Sequence, residues 1–376
     1  MRIAVISRVF SKSGGGAESY SVALVQQLAS RHDVHVFSQE SNHPVAGVSY
    51  HPVFCLSRKP RWINQLLFAT ATWLKTRKGF DVVHSHENTW HGQIQTIHVR
   101  PLRHNLFFNR FGLRRCFQWL KVLLSPRLIT YVLLEGARFK GGASRKVVAT
   151  SENLRVECQQ AYPQSPCGVM VITPGTHVTE HLLMRSEARK QLGLPLEGRL
   201  VLFVANDYAR KGLDALLKAM ADLPRDTTLM VVGNPKGVTK YRQLAESLGL
   251  EGRVHFMGSR EDLSPVYCAA DCLAHPTLED SFAMVVLEAM AHGLPVVVSG
   301  PEYCGISRQL SSGVEAVLLP DPKDVHGLAA GIVSVLGNSA LAERLSHQGL
   351  VFARRHSWES AALQYEALYA QVASTH

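Results

Sequence analysis

Two carboxylates eight positions apart, Asp280 and Glu288, carry the most legible chemistry in this chain of 376 residues. They lie in L-E-D-S-F-A-M-V-V-L-E-A-M-A-H-G-L-P-V-V-V, residues 278–298. Asp280 precedes a turn. Glu288 falls inside an amphipathic helix that stops at Gly293-Leu294-Pro295, and an apolar strand follows at 296–298. A helix start presents unpaired N–H groups and the positive end of its dipole, which suit a phosphate. Ala283, Met284 and Val285 supply those amides. Carboxylates beside them accept hydrogen bonds from sugar hydroxyls. A seat for pyrophosphate next to acceptors for hydroxyls is what a nucleotide-sugar site requires. Glu279 adjoins Asp280, and the spacing to Glu288 favours Asp280 as the first acid of the pair.

Two further stretches could meet the same ligand. Asn206-Asp207-Tyr208-Ala209-Arg210-Lys211-Gly212 follows an apolar strand and opens a helix. Arg210 can grip a diphosphate with its fork, and Lys211 adds a point charge. Gly14-Gly15-Gly16 follows the first strand and opens the first helix, where a backbone without side chains can approach an anion closely. It is not the G-x-G-x-x-G of dinucleotide sites. His84, His86, His91 and His98 crowd one region, but their spacing matches no compact metal motif. The strand at 254–257 ends in Gly258-Ser259-Arg260, candidates for contact with a nucleotide base.

The elements that hold these residues alternate. In the first half, strands are expected at 3–6, 34–37, 82–84, 94–98 and 146–149, with helices at 17–30 and 62–75. In the second half, strands at 200–205, 229–232, 254–257 and 272–275 alternate with helices at 212–221, 241–248 and 263–269. This rhythm means parallel sheets covered by helices, and ligands at the carboxyl ends of their strands. The break between halves falls near Val171-Ile172-Thr173-Pro174-Gly175, where a strand runs into Pro-Gly. The expected organisation is an N-terminal domain at 1–174, a C-terminal domain at 175–356 and a last helix within 357–376.

Composition agrees with a globular protein: 46% hydrophobic and 19% charged. No run of about 18 apolar residues is present, so a transmembrane helix is not expected, nor does the start resemble a signal peptide. Seven Cys without a C-x-x-C point to free thiols in a reducing compartment. The net charge of +10 is uneven: residues 1–174 carry +14 and residues 175–376 carry −4. Between Arg100 and Lys146 there are eleven cations and one acid, Glu135. The first half therefore expects an anionic partner. In 103–134, Phe107, Phe108, Phe111, Phe117, Trp119 and several leucines interleave with Arg110, Arg114, Arg115, Lys121 and Arg127. A basic amphipathic helix of this kind can lie in a membrane interface. No nucleic-acid reading element stands out.

Taken together, the acid pair, the Arg-Lys-Gly string and the glycine loop resemble the retaining glycosyltransferases of GT-B fold, notably family 4, and within it the lipopolysaccharide-core glucosyltransferases. The family usually has Glu where Asp280 stands and Gly where Ala283 stands. The resemblance implies two Rossmann-like domains facing across a cleft, with a terminal helix crossing back to the first. It implies a nucleotide-sugar donor, UDP-glucose foremost, with Gly15 and Gly16 against its pyrophosphate and Arg210 and Lys211 on its phosphates. Asp280 would hold the sugar, Glu288 the ribose, and Gly258, Ser259 and Arg260 the base. His98 resembles the His beside the donor sugar. Tyr303-Cys304-Gly305 resembles a C-G loop of the core glucosyltransferases. No metal or other cofactor is implied, because cations and helix dipoles take that role. The acceptor would be a lipid-linked or lipopolysaccharide-core glycan, and the place of work the cytoplasmic face of the inner membrane. Rival readings are a GT-B UDP-sugar epimerase and a non-catalytic adaptor on a membrane surface.

Overall fold

A computed structural model describes residues 1–11, 16–55, 59–141, 145–179 and 182–374. The chain divides into two compact units, Met1–Pro174 with Trp358–His376, and Gly175–Ser357.

The first unit is built on a parallel seven-stranded sheet. Its order is Val48–Pro52, Asp33–Ser38, Arg2–Ile6, Val82–Ser85, Ile94–Ile97, Lys146–Ala149 and Val169–Val171. Central strands covered on both faces read as continuous apolar runs, and Ile3, Ala4, Val5 and Ile6 are fully buried. The order reverses between Arg2–Ile6 and Val82–Ser85. The outer strands Val48–Pro52 and Val169–Val171 escape the apolar pattern because they are only half-buried. The terminal helix Trp358–Ala373 packs on Gly16–Leu28 within this unit, and Tyr20 Oη lies 3.0 Å from Tyr365 Oη.

The basic segment is not one helix. It folds as Leu102–Phe107, Gly112–Leu123 and Pro126–Arg138. Gly112, at φ 53°, breaks the first from the second, and Ser125-Pro126 starts the third with the Ser125 hydroxyl accepting from the Leu128 amide. The one acid of the segment, Glu135, is buried and accepts from the amides of Leu102 (2.5 Å) and Arg103 (3.0 Å) and from the Tyr162 hydroxyl (2.8 Å). It thus satisfies orphan donors at the start of Leu102–Phe107. In Gly112–Leu123 only Val122 is buried, while Phe111, Leu113, Phe117, Leu123 and Leu124 are 66–88% exposed.

The second unit carries a parallel six-stranded sheet in the order Val254–Gly258, Thr227–Val232, Arg199–Val204, Cys272–His275, Val296–Ser299 and Val317–Leu319. Two apolar clusters cover its faces. One gathers Leu202, Met230, Leu273 and Val298 under Val286 and Met290, the other Val201, Phe203 and Leu229 under Leu216, Leu217 and Ile332. Here the order reverses between Arg199–Val204 and Cys272–His275, so the loops after these two neighbouring strands meet where ligands of open α/β sheets bind.

Candidate functional site

Those two loops carry Arg210-Lys211 and Asp280. Lys211 Nζ donates to the Asp280 carboxylate and, at 3.1 Å, to the Glu279 carbonyl. His275, at the end of its strand and fully buried, brings Nε2 to 3.1 Å from the same Asp280 oxygen. The other oxygen accepts from the amides of Ala283 (3.0 Å) and Phe282 (3.3 Å). Burial alone would push the Asp280 carboxyl up, but the His275 hydrogen bond and the Lys211 charge hold it well below the usual carboxylate range. Burial pushes His275 down, against the pull of Asp280. The imidazole is therefore neutral and donates through Nε2. Of the two adjacent acids, Asp280 is the one tied to Lys211, while Glu279 offers its carbonyl.

This geometry revises two expectations. Asp280 is already engaged by four donors, so its place is to fix Lys211 and the helix start rather than to stand open for sugar hydroxyls. The Ala283 amide is likewise spent on Asp280. The amides left at the start of Met284–Ala291 are those of Met284 and Val285, which meet no acceptor among the described residues. Ala283 sits at φ 73°, ψ 68°, a left-handed conformation that costs a Cβ-bearing residue about 1–2 kcal/mol. Ala283→Gly relieves that cost but adds freedom to the unfolded chain, about 0.4–1 kcal/mol. We expect it to stabilise the second unit by about 0.5 kcal/mol, read as a small rise in Tm. A fall in Tm would mean the backbone is not strained.

Arg210 is half-exposed, paired loosely with Asp207 at 3.6 Å, and free to swing. Gly212 explains how close the two loops come: at φ 82°, a Cβ here would stand 2.0 Å from the Pro276 carbonyl oxygen. Gly233 has the same function one strand over, where a Cβ would meet the Ala205 oxygen at 1.8 Å. Glu288 has a different partner. Its Oε2 accepts from the Tyr267 hydroxyl at 2.7 Å, and burial raises its carboxyl despite that bond. Gly258, at φ 68°, ends its strand and accepts from the Gly233 amide at 3.0 Å; Ser259 and Arg260 after it are exposed. The sequence pattern marks neither His275, Tyr267 nor Gly233, and it marks Gly212 only as the end of the Arg-Lys-Gly string. A glycine directly after an apolar strand was the available signal for Gly233. Cys304, of the C-G loop, is buried, and its backbone bridges to Asp280.

In the first unit, His98 follows the strand Ile94–Ile97. Its Nε2 lies 3.0 Å from His86 Nδ1 with the rings stacked, and burial, then Arg138, lowers it to about 3. His84 bonds Tyr369 (2.8 Å) and Thr96 (2.7 Å). Arg138 is buried and donates to Gln95, Asn88 and the Thr96 carbonyl. A cavity of about 200 Å³ lies beside His86, His98, Glu87, Arg8 and Arg138. Gly16 opens its helix and is exposed; Gly14 and Gly15 lie outside the described residues. No group of three His, Cys, Asp or Glu residues able to hold a metal ion occurs among the described residues.

Comparison with known proteins gives two family matches. Residues 14–180 match Glycosyltransferase Family 4, and residues 184–350 match Glycosyl transferases group 1. The chain is similar to the lipopolysaccharide glucosyltransferase WaaG of Escherichia coli (strain K12), 31% identical over 208 residues, 53% of this chain and 55% of that protein. It is also similar to a D-inositol 3-phosphate glycosyltransferase of Corynebacterium glutamicum (strain R), 31% identical over 237 residues, 59% and 56% of the two chains. The chain thus aligns with about half the length of these relatives. Among solved structures, that of WaaG superposes with a TM-score of 0.82 at 23% identity, over 98% of this chain and 99% of that one. Anabaena Alr3699/HepE in complex with UDP-glucose superposes with a TM-score of 0.76 at 20% identity, over the whole of both. The fold is therefore GT-B, two Rossmann-like α/β domains.

Proposed function

We infer from this pairing of a Glycosyltransferase Family 4 domain with a Glycosyl transferases group 1 domain on the GT-B fold, which makes the chain a glycosyltransferase, that it moves a hexosyl group from a nucleotide sugar to a lipid-linked glycan. The observation that carries this reading is the Lys211–Asp280–His275 cluster at the sheet's reversal point, with Arg210 beside it. A buried acid locks one cation in place and leaves a second free to close on a ligand. In the transition state the donor's diphosphate gains negative charge. Lys211, Arg210 and the open amides of Met284 and Val285 are poised to take up that charge without reorganising. Glu288, with one oxygen on Tyr267, offers the other to a ribose hydroxyl. His98, neutral at pH 7, offers Nδ1 to the transferring hexose. These groups supply what Mg²⁺ would otherwise supply, so we propose metal-independent transfer with retention at the anomeric carbon.

UDP-glucose is the donor we favour, because a neighbour of the same fold is solved with it. The acceptor we favour is a phosphorylated glycolipid of the lipopolysaccharide-core kind, as the likeness to WaaG and the +14 charge of residues 1–174 suggest. Purified protein given UDP-, GDP- and ADP-glucose with a core glycolipid should release nucleotide diphosphate chiefly from UDP-glucose. It should do so in the presence of EDTA. Absence of transfer and of donor binding across the panel would overturn the reading.

We further propose that the segment 103–134 docks on anionic lipid at the inner face of the cytoplasmic membrane. No single helix among the described residues is long and apolar enough to cross a membrane. Gly112–Leu123 nevertheless exposes Phe117, Leu120 and Leu123 beside Arg114, Arg115 and Lys121. Burying one such apolar side chain contributes about 1.5–3 kcal/mol, and each nearby cation about 1 kcal/mol. Replacing Phe117, Leu120 and Leu123 by Ser should lower binding to phosphatidylglycerol vesicles at least tenfold and leave Tm unchanged, since none of the three is buried. Equal binding by the triple variant would exclude this face.

A further inference from the structure

Two neighbours hold Glu288, one by its side chain and one by its backbone. Tyr267 lies in the short helix Ser264–Ala269 and is 2% exposed. A buried phenol needs a partner for its hydroxyl, and Tyr267 places its own on Glu288 Oε2 at 2.7 Å. His292 closes the helix Met284–Ala291 that bears Glu288. Its amide, at 3.2 Å, and its Nδ1, at 2.8 Å, both meet the Glu288 carbonyl. A carbonyl only accepts, so Nδ1 carries a proton, and Nε2 lies 3.1 Å from the Ser264 hydroxyl. The His292 and Tyr267 rings stand 5.0 Å apart, centroid to centroid. The two helices are thus tied to each other twice, through Tyr267 with Glu288 and through Ser264 with His292.

Glu288 itself is not closed off. The residue is part-exposed. Its second oxygen, Oε1, has no hydrogen-bond partner among the described residues and is not shut away from solvent. No charged neighbour among the described residues shifts its carboxyl. A carboxylate can accept about four hydrogen bonds, and this one accepts a single bond through its side chain. An acid anchored at one oxygen, open at the other and without a cation beside it is arranged to receive a hydroxyl.

We propose that Tyr267 is a positioning residue that sets the specificity of the donor site: by fixing Oε2 of Glu288 it aims Oε1 at a ribose hydroxyl, and so selects a ribonucleoside diphosphate over its deoxy counterpart. This rests on the assignment of Glu288 to the donor's ribose. An untethered carboxylate would turn about its side-chain torsions and adapt to either ligand. One pinned through Oε2 cannot follow, and it loses its partner when the hydroxyl is missing. A polar group built to meet a substrate hydroxyl and then left without it costs affinity, which is how such a site discriminates. The Tyr267 bond also removes side-chain freedom before the ligand arrives, so binding has less left to remove.

The test is binding of UDP, 2′-deoxy-UDP and 3′-deoxy-UDP to the full chain by calorimetry, which needs no acceptor. The unchanged protein should bind UDP about tenfold or more tightly than at least one deoxy analogue, the usual consequence of removing a hydrogen bond to a charged acceptor. Glu288→Ala should bind all three alike. Tyr267→Phe keeps the ring in its packing and removes the hydroxyl. It should weaken UDP about fivefold or more while changing the disfavoured analogue less than about twofold, so that the preference shrinks. A purely structural tie would lower Tm without touching that preference. 3-Fluorotyrosine at position 267 keeps the hydroxyl and guards against a Tyr267→Phe that does not fold. Its ¹⁹F signal should move on saturation with UDP and move less with the disfavoured analogue. If the unchanged protein binds all three alike, or Glu288→Ala keeps the preference, the ribose assignment fails and takes this proposal with it. If Glu288→Ala loses the preference but folded Tyr267→Phe keeps it, or the fluorine signal answers both ligands equally, the assignment stands and the positioning role falls.

Discussion

Lys211→Ala should cut turnover by about two to three orders of magnitude, the usual consequence of removing one preorganised group that meets charge in the transition state. It should also destabilise the second unit by about 3 kcal/mol. The Lys211 and Asp280 side chains are 13% and 17% exposed, and removing one partner of a buried pair leaves the other charge without compensation. Lys211→Arg separates the two effects, because it keeps a cation but not its compact reach to Asp280 and the Glu279 carbonyl. That variant should recover most of the stability and little of the turnover. The measurements are Tm and initial rates at saturating and limiting donor. Loss at saturating donor would place Lys211 on the transition state, whereas a raised KM with unchanged kcat would mean it only binds. Full activity in folded Lys211→Ala would remove the basis of the proposed mechanism. Asp280→Asn should follow Lys211→Ala in turnover, since an amide no longer anchors the ammonium.

Mild acid should unfold the first unit. His84 and His98 are lowered to about 3 and His91 to about 4, with His86 well below its ordinary value, all chiefly by burial. In the unfolded chain each would titrate near 6.5. The sign follows from linkage: the unfolded state binds more protons between pH 6.5 and about 3–4, so stability is complete above 6.5 and falls as the pH drops through that window. Each histidine contributes a slope of up to about 1.4 kcal/mol per pH unit. Four together exceed a stability on the order of 5–15 kcal/mol within about two to three pH units. All five tryptophans belong to this unit, so indole fluorescence reports it alone. A cooperative transition near pH 4–5 is expected. His91→Asn should move its midpoint to lower pH, and replacing the exposed His326 should not move it. An emission spectrum unchanged down to pH 3.5 would show that these imidazoles are not held neutral.

The buried polar chain behind that prediction also shows what was legible in the sequence. His84 reaches Tyr369 across 285 positions, and Thr96 reaches Tyr365 across 269. Apolar spacing foretold the helix at the C-terminus and its bulky residues, but not that two of its tyrosines would end on a strand histidine and threonine. The strands at 146–149 and 272–275 agree with the local pattern residue for residue, because a buried parallel strand is an unbroken apolar run. The uniform composition of the basic segment predicts one amphipathic helix. Gly112 and Pro126 cut it into three, and a single acid, Glu135, closes the start of the first.

The sequence by itself determined the alternation of strands and helices and the stretches that bear cations and acids. All of these depend on residues a few positions apart, where period, capping and steric freedom act. Only the tertiary structure decided which of those stretches meet. Lys211 and Asp280 are 69 positions apart, and they touch because Arg199–Val204 and Cys272–His275 are neighbours at the sheet's reversal point. Strand order rests on how whole faces bury against one another, a property no short window contains. The same packing shut His275 away from water, and burial rather than residue type left it a neutral partner of Asp280.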